Sequence, residues 1–410
     1  MKIALDLRRI KNPGIGRYMK CLTEALIGTG SATQMEAGAP EHEYLLILPP
    51  GEEDAVTCRS HGVEKISPPI KYYSVREQFE LPRILRRYKI DLLHSPHFNI
   101  PLRRVCPTVV TIHDVIYLAC QEDLPSRLGR IYYRAMMGAS VKRADRIITD
   151  SEYSKRDIQR FFKVDKARMD VIYPGVDQTI RKSIDSVKLG EVLQRYGIVS
   201  PYLIYTGIYK LRKNHSGLLR SFRVFLDTLN QGLNIVGQYN KDSEAEDGGN
   251  ETKPGSVQLV IAGPMQEGEQ PLRRLAQELG IAGQIVFTGF VPDADLPALY
   301  SGASVYACPS LYEGFGFTVL EAMACGVPVV CSKVTSLPEV AGSAALYADA
   351  RNPQEFGNAM AQAYRDRGLR TMLISKGTSN LQRFQWKHAA AQTLAVYEKA
   401  VGKTRDRVLV

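Results

Sequence analysis

The sequence has 410 residues, 44% of them hydrophobic and 23% charged, and no stretch approaches the roughly 18 apolar residues that a membrane span requires. Seven cysteines, an odd number with no Cys-x-x-Cys pair, argue against a disulfide framework or a zinc ribbon and fit free thiols in a reducing cytoplasm. The length suits two domains of about 180–200 residues. The net charge of +10 is uneven: residues 1–178 hold 28 Lys and Arg against 22 Asp and Glu, residues 385–410 hold 5 against 2, and the middle is nearly neutral. A basic face attracts phosphates or anionic lipid, although a solvated surface reads the same way.

In chain order, the run Met1–Arg9 is broken by Asp6 and closed by arginines, so it reads as a first strand and not as a signal peptide. Further strands are predicted over Glu43–Leu48, Ile90–His94, Thr108–His113, Arg146–Thr149 and Met169–Tyr173, with helices at 16–28, 74–88, 125–143 and 152–162. Strands alternating with helices imply a parallel sheet covered on both faces. Near 174–200 the chain turns polar and reads as a linker. A second series follows, with strands Tyr202–Thr206, Val257–Ala262, Gln284–Thr288, Ser304–Ala307 and Val327–Cys331. Its helices are predicted at 214–227, 270–279, 294–302, 318–325, 353–366 and 368–380. Residues 29–42 and 238–256 read as polar surface insertions, the latter disordered. Two alternating halves imply an α/β protein with a cleft between two open sheets and ligands at the carboxyl ends of the strands.

The segment Pro309–Pro328 carries the most chemistry. A strand ends, the loop Glu313-Gly314-Phe315-Gly316-Phe317 follows, and a helix begins near Thr318. Backbone N–H groups of a glycine loop and a helix start make an anion site. Glu313 and Glu321 can both face one ligand there, and a carboxylate can accept two ribose hydroxyls.

The Glu-x7-Glu arrangement, with Gly-Phe-Gly inside it and Glu-Ala-Met-Ala-Cys-Gly-Val-Pro after it, resembles the large glycosyltransferase family 4 of the GT-B fold. Supporting pieces lie in order along the chain: Gly14-Ile-Gly16-Arg17, His94-Ser-Pro-His97, His113-Asp114, Asp150-Ser151, Pro174-Gly175-Val176-Asp177, Arg212-Lys213-Asn214, Gly263-Pro264 and Pro309-Ser310. The resemblance implies two facing Rossmann-like domains, 1–178 and 179–386, with a C-terminal helix over 387–410 crossing back to the first. It also implies hexose transfer with retention from a nucleoside diphosphate sugar, without a metal. By the same resemblance Glu321 holds the donor ribose and Glu313 sits by the donor sugar. Phe315, Gly316, Phe317 and Thr318 meet the sugar and diphosphate. Arg212 and Lys213 neutralise the departing nucleoside diphosphate, His113 touches the sugar, and Gly14 and Gly16 let the first loop approach the ligands. The chain departs from the family pattern at Ile208, where many members carry arginine, so Arg212 stands in as the second cation. Mannose from GDP-mannose, passed to a lipid-linked or oligosaccharide acceptor on the inner face of the membrane, is the substrate pair the resemblance favours.

Plainer readings stand beside these. Thr318-x-x-Glu321 is also a capping box, in which Glu321 folds onto its own helix. Asp293-Ala-Asp295 imitates a metal-binding Asp-x-Asp but reads as a helix cap at Asp293. His94 and His97 have no third metal ligand and fit packing or cleft lining. The segment Val75–Tyr88, with four arginines, fits either an anionic membrane or a helix packed on its own sheet, kinked by Pro82. A sugar-nucleotide epimerase of similar fold and a non-catalytic nucleotide-binding module are the rival functions. No nucleic-acid motif appears, and the first loop lacks the full Gly-x-Gly-x-x-Gly of a dehydrogenase.

Overall fold

The computed structural model describes residues 1–12, 14–28, 42–57, 62–124, 126–183, 185–239 and 257–408. The insertions expected at 29–42 and 238–256 lie almost wholly outside them. The chain forms two compact units, Met1–Asp177 with Arg383–Val410, and Gln178–Gln382.

The N-terminal unit runs β1 (Lys2–Asp6), α1 (Ile15–Ile27), β2 (Glu43–Ile47), β3 (Val63–Ile66), α2 (Glu77–Arg87), β4 (Leu92–Ser95), β5 (Thr108–Thr111), α3 (Ile116–Ala119), α4 (Arg127–Arg143), β6 (Arg146–Thr149), α5 (Glu152–Phe162) and β7 (Met169–Val171). All seven strands are parallel, in the order β3-β2-β1-β4-β5-β6-β7. The order reverses between β1 and β4, so the ligand crevice of such a sheet belongs at their carboxyl ends. β1 and β4 are buried on both faces, as a helix-covered parallel sheet requires. β3 (Val-Glu-Lys-Ile) escaped the sequence reading because it is a half-exposed edge strand with only two apolar residues.

The C-terminal unit runs α6 (Ser186–Tyr196), β8 (Tyr202–Thr206), α7 (His215–Tyr239), β9 (Gln258–Ala262), α8 (Glu269–Glu278), β10 (Ile285–Gly289), α9 (Leu296–Ser301), β11 (Val305–Cys308), α10 (Phe317–Ala324), β12 (Val329–Ser332), α11 (Leu337–Ala341), β13 (Ala345–Ala348), α12 (Pro353–Arg365) and α13 (Arg367–Asn380). Its six strands are also parallel, in the order β10-β9-β8-β11-β12-β13, with the reversal between β8 and β11. The core packs Phe222, Phe225 and Leu226 of α7 and Phe356 and Met360 of α12 on one face of the sheet. Two corrections apply here. The supposed linker contains α6, capped by Asp185 and ended by Gly197 in the left-handed region; Leu189, Val192, Leu193 and Tyr196 recur at helical spacing along its one buried or half-buried face, a signal the sequence reading overlooked. β13 (Ala-Leu-Tyr-Ala) is a short edge strand without β-branched residues.

The chain then returns to the N-terminal unit as α14 (Trp386–Val408), which packs on α1, β5 and β6. Tyr397 hydroxyl lies 2.6 Å from His94 Nδ1, and Trp386 meets Tyr18 edge to face at 5.6 Å.

Candidate active site

The carboxyl ends of β8 and β11 bring two loops together. The first makes one tight 3-10 turn, Leu211–Lys213, and ends at Asn214, which is left-handed at φ 57° and accepts the Gly217 N–H at 3.2 Å to open α7. The second runs from Ser310 to Gly316. The Leu311 N–H donates to the Arg212 carbonyl at 2.7 Å and locks the loops in register.

The side chains follow from that register. Lys213 Nζ donates to Glu313 Oε1 at 2.5 Å, with both side chains largely buried at 14% and 9% exposure. Ser310 Oγ donates to the same oxygen at 2.6 Å. Burial alone would raise the Glu313 pKa, but the charges of Lys213 and Arg212 and the two hydrogen bonds outweigh it and hold Glu313 below the usual carboxylate range. The Glu313 backbone is held as well: its N–H donates to Thr335 Oγ1 at 3.0 Å, and Ser336 Oγ donates to the carbonyls of Glu313 and Phe315 at 2.9 Å each. Sequence reasoning missed Ser310, Thr335 and Ser336 as supports; only Ser310 lay in a quoted motif.

Gly316 ends this loop at φ 109°, in the left-handed region that favours glycine, and a Cβ there would also crowd the tip of Leu337 at 2.9 Å. Gly316 is also the N-cap of α10 and supplies no capping side chain. The first N–H groups of α10, at Phe317 and Thr318, are thus at a helix start that no side chain caps, which suits an anion. Phe315 is buried and meets half-buried Phe317 edge to face at 5.0 Å.

Glu321 is not the reciprocal partner of a capping box. Thr318 is the second residue inside α10 and not its cap, so the Thr318-x-x-Glu321 spacing is out of register with the helix start. Glu321 Oε2 instead accepts the Tyr300 hydroxyl at 3.0 Å, and that hydroxyl is 2.6 Å from Thr206 Oγ1 at the end of β8. The carboxylate is thereby anchored beside the β8–β11 crossover, 5% exposed. The Asp293 cap is also corrected: α9 starts at Leu296, its N-cap position is Asp295, and the Asp295 carboxylate takes Arg195 at 2.6 Å and Tyr196 at 3.0 Å. Among the described residues no group of three or more His, Cys, Asp or Glu side chains is placed to hold a metal ion.

In the N-terminal unit His113 follows β5. Its Nδ1 is 2.7 Å from Asp150 Oδ2 and its Nε2 is 3.1 Å from the Pro96 carbonyl. Both partners are acceptors, which calls for a proton on both nitrogens. Burial, the largest influence, lowers the pKa of His113, yet the Asp150 charge and hydrogen bond, Asp114 and the Pro96 carbonyl carry it above its ordinary value. His94 is the opposite case: buried between Tyr397 and Thr111 (2.6 and 2.8 Å), it is pushed down to about 3 by burial and by His113, and it packs the unit together. Gly14 is the N-cap of α1 at φ 75°. A Cβ on Gly16 would lie 1.9 Å from the Ile10 carbonyl oxygen, so that residue lets α1 start against the 7–12 turn.

Two doubly wound parallel units of one strand order, one of them with a cation–carboxylate pair and an uncapped helix start at its crossover, define a nucleotide-sugar transferase scaffold of the GT-B type. The family descriptions agree: residues 14–179 match Glycosyltransferase Family 4 and residues 198–380 match Glycosyl transferases group 1. The chain belongs to the group 1 glycosyltransferases. It is similar to the O-antigen chain mannosyltransferase B of Escherichia coli, at 32% identity over 97% of this chain and 100% of that one. It is also similar to the serotype-specific mannosyltransferase WbdA of Escherichia coli, at 26% identity over 76% of this chain but only 35% of that much longer protein. Among solved structures, sucrose-phosphate synthase from Thermosynechococcus elongatus superposes with a TM-score of 0.70 at 19% identity, covering 98% of this chain and 100% of that one. Anabaena HepE in complex with UDP and glucose gives 0.69 at 18% identity, covering 97% and 99%. These likenesses fix the fold.

Proposed function

We propose that the protein is a mannosyltransferase of surface-polysaccharide synthesis, moving mannose from GDP-mannose with retention onto a lipid-linked or oligosaccharide acceptor. The observation that carries the reading is the buried Lys213–Glu313 pair beside the uncapped start of α10, with Arg212 adding a second cation to the same site. Breaking a sugar–phosphate bond builds negative charge on the leaving diphosphate and positive charge on the sugar. Cations and backbone N–H groups fixed where the diphosphate departs stabilise that transition state and do a metal's work. Glu321 takes the ribose hydroxyls, and Glu313 holds Lys213 in place and faces the sugar. The choice of mannose is supported by the names of the two mannosyltransferases above, and retention by the family resemblance.

Contact with an anionic membrane is part of the reading. Val75 just before α2, Phe79 in its first turn and Leu128, Ile131 and Tyr132 on α4 are exposed by 44% to 79%. Helix α4 carries five Lys or Arg residues and no acid. Apolar side chains among cations are what an interfacial helix presents to lipid headgroups. No helix among the described residues is long and apolar enough to cross a membrane.

The test is incubation with GDP-mannose, GDP-fucose, UDP-glucose and UDP-galactose in the presence of mannosyl acceptors, followed by mass spectrometry and NMR of the new anomeric centre. Transfer of mannose as an α-linkage, unaffected by EDTA, is expected. Isomerised free donor without an extended acceptor would establish the epimerase instead, and loss of transfer in EDTA restored by Mg²⁺ would overturn the metal-free scheme.

A further inference from the structure

The N-terminal unit invests a buried ionic cluster in the placement of one exposed aromatic ring. Glu77 is fully buried and collects three donors: Arg8 Nη2 at 2.5 Å, Asn99 Nδ2 at 2.8 Å and the Tyr73 backbone N–H at 3.0 Å. Arg8, whose side chain is 2% exposed, also grips Asp6 through Nε and Nη2 at 2.7 Å each. Sinking two carboxylates and a guanidinium in a core is expensive and stabilises little against an apolar alternative. What the cluster fixes is the backbone of Tyr73, at φ 61° in the left-handed region, where a bulky side chain is an outlier costing about 1–2 kcal/mol. Strain of that kind concentrates at ligand sites.

The ring so placed is not core. It is 39% exposed, with one side stacked on Phe98 at 6.0 Å. Its hydroxyl accepts from Arg9 Nη1 at 2.8 Å and lies 3.5 Å from His97 Nε2. Arg9 and His97 follow β1 and β4, so the ring stands at the crossover where a sheet of this order binds its ligand.

We infer that Tyr73, with Arg9 and His97 at its edge, is a subsite for a sugar ring of the saccharide acceptor. A pyranose offers a C–H face that packs on an aromatic ring and hydroxyls that pair with a phenol and a guanidinium, while His97, 5% exposed, backs the phenol from the protein side. The charges also fit a neutral ligand: Asp6 and Glu77 balance Arg8 and Arg9, and the accessible part is an uncharged ring. This inference rests on the reading of the protein as a transferase with a saccharide acceptor.

Tyr73→Gly tests it, because glycine removes the ring and relieves the backbone at once. With α-linked mannotriose as the probe, we expect at least about tenfold weaker binding in Tyr73→Gly, by calorimetry, with unchanged GDP binding showing that the variant is folded. Mannotriose affinity equal to the wild type would overturn the subsite, as would a wild type that binds no mannotriose. So would a variant that loses only its binding to anionic phosphatidylglycerol vesicles, which would make the ring a lipid contact. If Tyr73→Gly fails to fold, Tyr73→Phe and Arg9→Gln decide: each should weaken mannotriose binding about threefold or more at unchanged Tm, and no change in either overturns the subsite. A wild type that binds mannotriose through Tyr73 yet transfers no mannose from GDP-mannose would sink the donor assignment and leave the subsite standing.

Discussion

Removing Lys213 should cost the protein both stability and turnover, and the two losses separate by pH. The Lys213 Nζ–Glu313 Oε1 distance is 2.5 Å and both side chains are at most 14% exposed. Breaking a buried pair by deleting one partner costs about 3–5 kcal/mol, because the other charge stays buried. Here Glu313 retains the Ser310 hydroxyl and the field of Arg212, which places Lys213→Ala near the low end, about 3 kcal/mol at pH 7. The sign with pH follows from the direction of the Glu313 shift. In the native protein its folded pKa is depressed, so it contributes stability above its unfolded value of about 4.3 and loses it as pH falls through the folded value. Without Lys213, burial dominates and the folded pKa rises. Protonation then relieves the variant first, and its deficit should shrink by at least about half between pH 7 and pH 4. Urea unfolding of the two unliganded proteins at both pH values measures this. Steady-state turnover at 25 °C, where both stay folded, should show kcat/KM lower by about a hundredfold, or ~3 kcal/mol of transition-state stabilisation. A stability loss under about 1 kcal/mol, or a deficit that does not change with pH, would refute the buried pair. Normal turnover by the folded variant would refute its role at the leaving group.

Three further outcomes are expected. Glu321→Gln keeps an acceptor for the Tyr300 hydroxyl, so its unfolding free energy should stay within about 0.5 kcal/mol of the wild type while donor affinity falls by about 1.5–3 kcal/mol; unchanged affinity in calorimetry would leave Glu321 a structural anchor only. Gly16→Ala forces a Cβ to within 1.9 Å of the Ile10 carbonyl and should destabilise by more than about 2 kcal/mol in urea. Gly14→Ala enters open space and should cost only the strain of its φ 75°, ψ −65° backbone, about 1–3 kcal/mol; a smaller effect at Gly16 than at Gly14 would deny the close approach of α1 to the 7–12 turn. Asp150→Asn should destabilise more at pH 6 than at pH 9: the folded pKa of His113 is raised, so the stabilisation is complete below the unfolded value of about 6.5 and fades as pH climbs through the folded value. The reverse trend would mean that His113 is neutral in the native protein.

The fold was readable in the sequence wherever burial was complete. Arg146–Thr149 and Tyr202–Thr206 match their predicted bounds because a central parallel strand is apolar on both faces and stops at a polar turn. The edges were not readable: β3 and β13 are held by a neighbouring strand on one side only and need little hydrophobicity of their own. Helix α6 carried its signals, Asp185 and Gly197 at the ends and Leu189, Val192, Leu193 and Tyr196 along one face, but its interspersed polar residues led the segment to be read as linker. At the candidate site the two carboxylates proposed to face a ligand were legible as a spacing, Glu313 to Glu321. The residues that orient them come from elsewhere in the sequence, Thr206, Tyr300, Thr335 and Ser336, and only folding brings them to the carboxylates. The same holds for Tyr73, whose left-handed backbone is imposed by Glu77 and Arg8 and leaves no mark in composition.

The return of α14 sets an order of events during synthesis. The N-terminal unit emerges first from the ribosome, but its sheet lacks the helix that covers β5 and β6, and His94 lacks Tyr397, until all of residues 178–382 have been translated. The later-made unit is continuous in sequence and can close on its own, so it is positioned to finish folding before the earlier one. In the interval the apolar floor meant for Trp386, Val396 and Ala400 faces the cellular milieu, and a chaperone that binds nascent apolar surface has its longest opportunity there. A proteolytic cut near residue 385 would strike, over two hundred residues away, the unit built on Met1–Asp177, and leave the C-terminal unit standing.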